Sequence, residues 1–170
     1  MRGSAEEIAR FGVGNLVVDE LIETDLNDLD WSGSRTHIDH VRKALARVPS
    51  GDVEYLVIRS PEGAPIAKGG IDYAANKDAG TLWQLATHGA LQGLGLGTRL
   101  IEVAEGRIRA RGHRFAYLSV EDGNTTARRL YERLGYSEVG RERASWEAED
   151  GQGNLYTHEA DLAVLRKEIS

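Results

Sequence analysis

The sequence predicts an α/β (α+β) fold with one mixed, mostly antiparallel central sheet flanked by helices. Three observations predict it. Strand and helix signals alternate along the chain. Three strand-like runs, at 54–59, 65–74 and 81–87, follow one another with only turn residues between them. A strand–helix–strand–helix unit then runs from 81 to 134. An antiparallel meander feeding such a unit closes into one sheet with helices on its faces. No repeat, low-complexity tract or linker interrupts the 170 residues, so 1–170 is expected to be a single domain, large enough to bury its own core.

The elements follow in order. Residues 16–22 are rich in Val, Ile and Leu and read as a first strand, and 25–31 as a short helix or loop. Ser34-Arg35-Thr36-His37 starts a helical pattern in which Ile38, Val41, Leu45 and Val48 recur at helical spacing. Pro49-Ser50-Gly51-Asp52 ends it. Ser60-Pro61-Glu62-Gly63 turns the chain between the first two strands of the meander, and 76–80 forms a hairpin loop before the third. Residues 95–111 form a helix with Leu96, Leu100, Val103, Ala104 and Ile108 inward and Gly112 as its C′ residue. A strand at 115–120 and a helix at 124–134, ended by Gly135, come next. Residues 136–139, 144–147 and 155–163 suggest a final antiparallel ribbon with a loop at 150–154.

Composition removes several function classes. Cysteine is absent, which excludes disulfides, thiolate zinc sites and a cysteine nucleophile, and fits a reducing, cytoplasmic setting. Five histidines without ligand-like spacing make no metal site. A net charge of −6 argues against a nucleic-acid partner, whose protein would usually be basic. No run approaches a membrane span, and no signal peptide is visible, so no membrane partner is expected.

The most informative stretch is Gln92-Gly93-Leu94-Gly95-Leu96-Gly97. It leaves a strand and opens a helix. A helix start presents unpaired backbone N–H groups and the positive end of the helix dipole, so it suits an anion. Glycine lets the backbone approach a phosphate closely and adopt positive φ. No Gly-Lys-Ser/Thr follows, so the turn is not a Walker loop. Its G-x-G-x-G spacing, after an antiparallel meander, is not a dinucleotide fingerprint either.

About thirty residues further on, a βαβ-like spacing, lies Asn124-Thr125-Thr126-Ala127-Arg128-Arg129-Leu130-Tyr131-Glu132-Arg133-Leu134-Gly135-Tyr136. Asn124 is a good N-cap, and Ala127, Leu130, Tyr131 and Leu134 share a helix face. Gln-x-x-Gly-x-Gly after a strand, followed by Asn-x-x-Ala-x-x-Leu-Tyr-x-x-x-Gly-Tyr, resembles the GNAT superfamily of acyl-CoA-dependent N-acyltransferases. The resemblance is dense from 81 to 140, and 161–167 is similar to the family's closing strand.

The resemblance implies an N-acetyltransferase that uses acetyl-CoA as co-substrate, with no metal and no covalent enzyme intermediate. Its acceptor would be a primary amine of a small molecule or peptide. It implies that Leu85, Ala86 and Thr87 pair with the pantetheine arm through their backbone. The diphosphate would sit on Gln92, Gly93, Leu94, Gly95, Leu96 and Gly97, with Thr98 at the helix start. Asn124, with Ala127 beside it, would contact the pantetheine arm, and Tyr131 would protonate the departing thiolate as general acid. A homodimer through the final strands is one option.

The chemistry fits these parts. An amine attacks the thioester carbonyl and generates an oxyanion, which a backbone N–H near Leu85 to Thr87 can stabilise. A thiolate of pKa near ~8.5 benefits from a phenol donor, and an alkyl ammonium of pKa near ~10.4 must lose a proton before it attacks. The base is not evident. Two branches of the family carry a glutamate where this chain has Thr81 or Ser119. Glu121, late on its strand, and Asp72, on the strand beside the site, are the candidates. Each reads better as a solvated or substrate-orienting carboxylate. His88 reads as a loop residue, and Arg107, Arg109, Arg111 and Arg114 as a solvated helix end. Arg128, Arg129 and Arg133 are weak candidates for the cofactor's 3′-phosphate. The alternative function is a non-catalytic acyl-CoA sensor or interaction module on the same fold.

Overall fold

The computed structural model describes residues 3–170; Met1 and Arg2, at the start of the expected 1–170 domain, lie outside the described residues. Seven strands form one sheet: β1 (Val18–Glu20), β2 (Val53–Arg59), β3 (Pro65–Asp72), β4 (Ala79–Thr87), β5 (Phe115–Glu121), β6 (Ser137–Glu149) and β7 (Leu155–Glu168). Their order is β1-β2-β3-β4-β5-β7-β6, and only β4 and β5 run parallel. Among the described residues four α-helices accompany it: α1 (Ala5–Phe11), α2 (Arg35–Leu45), α3 (Leu96–Ala110) and α4 (Thr125–Arg133).

β2 shows why the sheet has two cores. Its side chains alternate, as a strand's must. Leu56 and Ile58 join α3 residues Leu96, Leu100, Ile101, Ala104 and Ile108 on one face. Val53, Tyr55 and Val57 join Val41 and Ala44 of α2 on the other. Ile101 belongs to the inward stripe of α3 with the residues expected there, while Val103 is only partly buried. α4 has no fully buried residue among those described, and Ala127, Tyr131 and Leu134 rest part-buried on the core.

Two features of β4 shape the site. It pairs with β5 only at Ala79↔Phe115, Gly80↔Ala116 and Thr81↔Tyr117 among the described residues; beyond these the two strands splay apart. It also bulges. Lys68 faces Ala86 and Gly70 faces Trp83, so Gln84 and Leu85 share the space opposite Gly69. A Cβ on Gly69 would clash with Leu85 Cδ2, and one on Gly70 would lie 2.5 Å from the Trp83 ring. A side chain at either position would force Leu85 or Trp83 to move. Gln84 takes a left-handed φ of 56°, a conformation that costs a non-glycine residue about 1–2 kcal/mol.

Differences from the sequence-based expectation are local. The first strand shrinks to three residues, and short 3-10 helices at Glu23–Asp28 and Asp30–Ser32 occupy the segment read as helix or loop. α1 was not anticipated, although Ser4 and Glu7 form a complete capping box at its start. The final ribbon is two long strands where shorter fragments were expected. Its charged residues pair across the hairpin, Arg143 with Asp161 and Glu159 at 3.0 Å each, so polarity there marks an exposed ribbon and not a turn. β7 lies between β5 and β6, with Ala163 and Leu165 in the core.

Candidate active site

Two cavities meet where β4 and β5 part. One, about 930 Å³, runs along the glycine turn; the other, about 670 Å³, lies between the splayed strands, α2 and β6. Both are within the range of small-molecule sites. Leu85, Asn124 and Tyr131 line both, so the junction is formed by these three residues.

The glycine-turn cavity is walled by donors. Gly93 and Gly95 have φ of 81° and 91°, and a Cβ on either would meet nothing within 4 Å. Glycine is required there by backbone conformation, and the space before it is open. Gly95 starts α3 with no side-chain cap and no acidic residue in the first turn, so the first amides of the helix face outward unpaired. Arg129 and Arg133 stand on the rim. Trp31 lines the same cavity, and its indole Nε1, like Arg99 Nε, is buried without a hydrogen-bond partner among the described residues. Open space, uncapped amides and the guanidinium groups of Arg129 and Arg133 together fit a phosphate-bearing ligand such as coenzyme A.

The residues expected to hold the cofactor are largely brought together. Leu85, Ala86 and Thr87 line this cavity from β4; Gln92, Gly93, Gly95, Leu96, Gly97 and Thr98 line it from the turn; Asn124, Ala127 and Tyr131 line it from α4. Leu94 does not line it and packs part-buried against the core. Asn124 caps α4, its side-chain oxygen accepting from the Ala127 N–H at 3.2 Å. Burial raises the Tyr131 phenol above its ordinary pKa, so it keeps its proton at neutral pH.

The second cavity is acidic and carries histidines. Asp72, Glu121 and Glu142 line it together with His37 and His40. Asp72 is held by Arg47, which donates to both carboxylate oxygens at 2.8 and 3.0 Å. Burial would raise this carboxyl, but the hydrogen bonds from Arg47 and the Ala74 N–H override it and hold it below the usual carboxylate range. Glu121 lies 2.6 Å from His158 Nε2, and the Trp146 ring packs 4.8 Å from the His158 ring. The Ser119 hydroxyl donates to Glu142 at 3.0 Å, so a carboxylate reaches the position where Ser119 itself offers none. Thr36 donates from its amide and hydroxyl to Glu149, tying α2 to the end of β6.

The other arginines considered from sequence are structural. Arg107, Arg111 and Arg114 pair with Glu20, Glu54 and Glu168, Arg109 donates to the Ile169 carbonyl, and none of the four lines either cavity. Arg128 pairs with Glu132 and Glu138.

Sequence reasoning missed a buried polar cluster behind the β4 bulge. Lys68, wholly inaccessible to solvent, donates to the Gln84 carbonyl at 2.7 Å and to the Tyr55 hydroxyl at 3.2 Å, and lies 3.0 Å from His37 Nε2. The Tyr55 hydroxyl donates to Gln84 Oε1 at 2.8 Å. These bonds hold Gln84 in its strained conformation. A signal was present: Lys68 interrupts an otherwise apolar strand, and a lysine there must find partners or lose its charge.

A sequence profile of the Acetyltransferase (GNAT) family matches residues 18–136. The chain belongs to this family. No curated protein matches it. Solved structures similar to this GNAT chain include the ribosomal-protein-S18-alanine N-acetyltransferase from Escherichia coli, at 23% identity and TM-score 0.67, covering 91% of this chain and 94% of that one. Spermidine N-acetyltransferase from Vibrio cholerae, in complex with CoA and spermine, has 15% identity and TM-score 0.70, covering 92% and 96%. The IAA acetyltransferase from Bacillus cereus has 16% identity and TM-score 0.67, covering 90% and 99%. At these identities the likeness is one of fold, and this GNAT chain shares the seven-stranded, mostly antiparallel sheet.

Proposed function

We propose that residues 1–170 act as one acetyl-CoA-dependent N-acetyltransferase domain that acetylates a primary amine of a small molecule or peptide by direct attack. The observation that carries this reading is Tyr131 at the junction of the two cavities, with a donor-lined phosphate cradle on one side and an acidic chamber on the other. Acetyl-CoA, when bound, supplies an activated acyl carbonyl and a thiolate leaving group.

The chain's own residues supply the rest. The Gly93–Thr98 turn and the start of α3 hold the diphosphate. Leu85, Ala86 and Thr87 lie on the part of β4 that β5 leaves unpaired, so their backbone can bind the pantetheine arm. An amide there faces the developing oxyanion. Asn124 and Ala127 border the arm, and protonated Tyr131 gives its proton to the leaving sulfur. Glu121 and Glu142 draw a cationic amine into the chamber; Asp72, neutralised by Arg47, serves the wall more than the proton transfer. The neighbours named above include one named for an alanine of a ribosomal protein and one for spermidine, both amines.

The test is a panel of amine acceptors assayed by release of CoA thiol, with Tyr131→Phe beside the wild type. Turnover with at least one amine, lost in the variant, is the expected result. Acetyl-CoA binding without turnover on any acceptor would move the reading to a non-catalytic sensor.

A further inference from the structure

The reaction above leaves one buried group idle. Lys68 lies in the middle of β3 and faces no carboxylate among the described residues. The neighbours of Nζ fix its hydrogen bonding. The Gln84 carbonyl only accepts. The Tyr55 hydroxyl gives its proton to Gln84 Oε1, so toward Lys68 it accepts as well. That takes two donors, which a neutral amine and an ammonium both possess. The third contact, with His37, decides the charge. An ammonium donates to a bare Nε2, whereas a neutral amine accepts from Nε2–H. Both arrangements satisfy every polar group around Nζ. They differ by one proton and by the tautomer of His37.

His37 connects this switch to the chemistry. It sits in the first turn of α2 and lines the acceptor chamber. Its Nδ1 has no partner among the described residues, while Nε2 meets Lys68. We propose that His37 and Lys68 form a proton relay that removes the proton shed by the acceptor nitrogen during acetyl transfer. The inference rests on the N-acetyltransferase reading and adds the group that takes the proton. As the N–C bond forms, the attacking nitrogen gives a proton to His37 Nδ1, and the Nε2 proton passes to neutral Lys68. As the C–S bond breaks, Tyr131 protonates the sulfur. Amide and thiol leave, Lys68 returns its proton through His37 to water, and Tyr131 recovers one from water.

The electrostatics favour this division of labour. Burial brings Lys68 down to about 7. Burial, followed by the charges of Lys68 and His40, brings His37 down to about 4. The imidazole therefore passes the proton on, and the lysine holds it. The surrounding titratable groups are few: Tyr55 from β2, His40 from α2, and, across the chamber, the Arg47–Asp72 pair, the Glu121–His158 pair and Glu142.

The experiment is the pH dependence of kcat at saturating acetyl-CoA and acceptor for wild type, Lys68→Met and His37→Gln. The wild type should show a rising limb with its midpoint near 7, where Lys68 becomes neutral. Both substitutions should remove that limb and lower kcat above it about a hundredfold or more, the lower end of a proton-transfer contribution. Acetyl-CoA affinity by calorimetry should stay within about twofold. If Lys68→Met does not fold, His37→Gln and the wild type still decide. In wild-type protein, ¹³Cε signals of the four lysines should include one that titrates near 7. A limb that survives His37→Gln, or lysine signals that all titrate above about 9, overturns the relay and leaves the transferase reading standing. Absence of turnover with every amine overturns both.

Discussion

The two halves of the site are made of different material. The glycine-turn cavity is built from backbone: a bend with two positive-φ glycines, an uncapped helix start and an unpaired stretch of β4. The acceptor chamber is built from side chains drawn from α2, β3, β4, β5 and β6, and its polar groups come in pairs that hold one another. Backbone donors offer one fixed chemistry, so the first half suits a constant ligand. Side-chain pairs offer a chemistry that changes with the residues, so in the proposed reaction the second half is the one that selects the acceptor.

This contrast is most easily broken at Gly95. Its φ of 91° disfavours any other residue, and a leucine there would fill the cradle. Gly95→Leu should reduce acetyl-CoA affinity by about a hundredfold or more, since each ~1.4 kcal/mol is tenfold. Unchanged calorimetric affinity would refute the placement of the diphosphate. Tyr131→Phe comes next: turnover should fall on the order of a hundredfold while acetyl-CoA affinity holds, because in the proposed reaction the lost hydroxyl acts only on the leaving sulfur.

A third prediction concerns stability in the side-chain half. Folded Lys68 releases its proton near 7 and an unfolded lysine near 10.5. Between these values the unfolded chain binds more protons, so this group makes stability rise with pH across that window, by about 1.4 kcal/mol per pH unit at most. Lys68→Met should flatten the rise when unfolding midpoints are compared between pH 7 and 10. An unaltered slope would mean that Lys68 is already charged in the fold. The smallest effect is expected at the half-exposed Glu121. Glu121→Gln should raise KM for a cationic acceptor a few-fold, with kcat nearly unchanged and the difference shrinking as salt is added. A large fall in kcat would instead make Glu121 a participant in the proton transfer.

The same division governs what could be read from the sequence. The turn and α4 are contiguous segments whose residue types follow from local rules: glycine for positive φ, Asn124 for a cap, Tyr131 on the inward face of a helix. The meander, α3 and the start of α2 after Ser34 were legible for the same reason. The Lys68–His37–Tyr55–Gln84 cluster joins four segments separated by up to 47 positions, and no local pattern states that they meet. The β4 bulge depends on Gly69 and Gly70 on the neighbouring strand, so its position becomes visible only once the register is known. The Ser119–Glu142 contact likewise needs the β6–β7 hairpin in place.

The decisive measurement is a crystal structure of the chain with CoA bound, which shows directly where the diphosphate and the sulfur lie. The expected complex has the diphosphate against the amides of 93–98, the pantetheine arm along Leu85 to Thr87, and the sulfur beside Tyr131 Oη at the mouth of the second cavity. A diphosphate held elsewhere, or a sulfur out of reach of Tyr131, would contradict it.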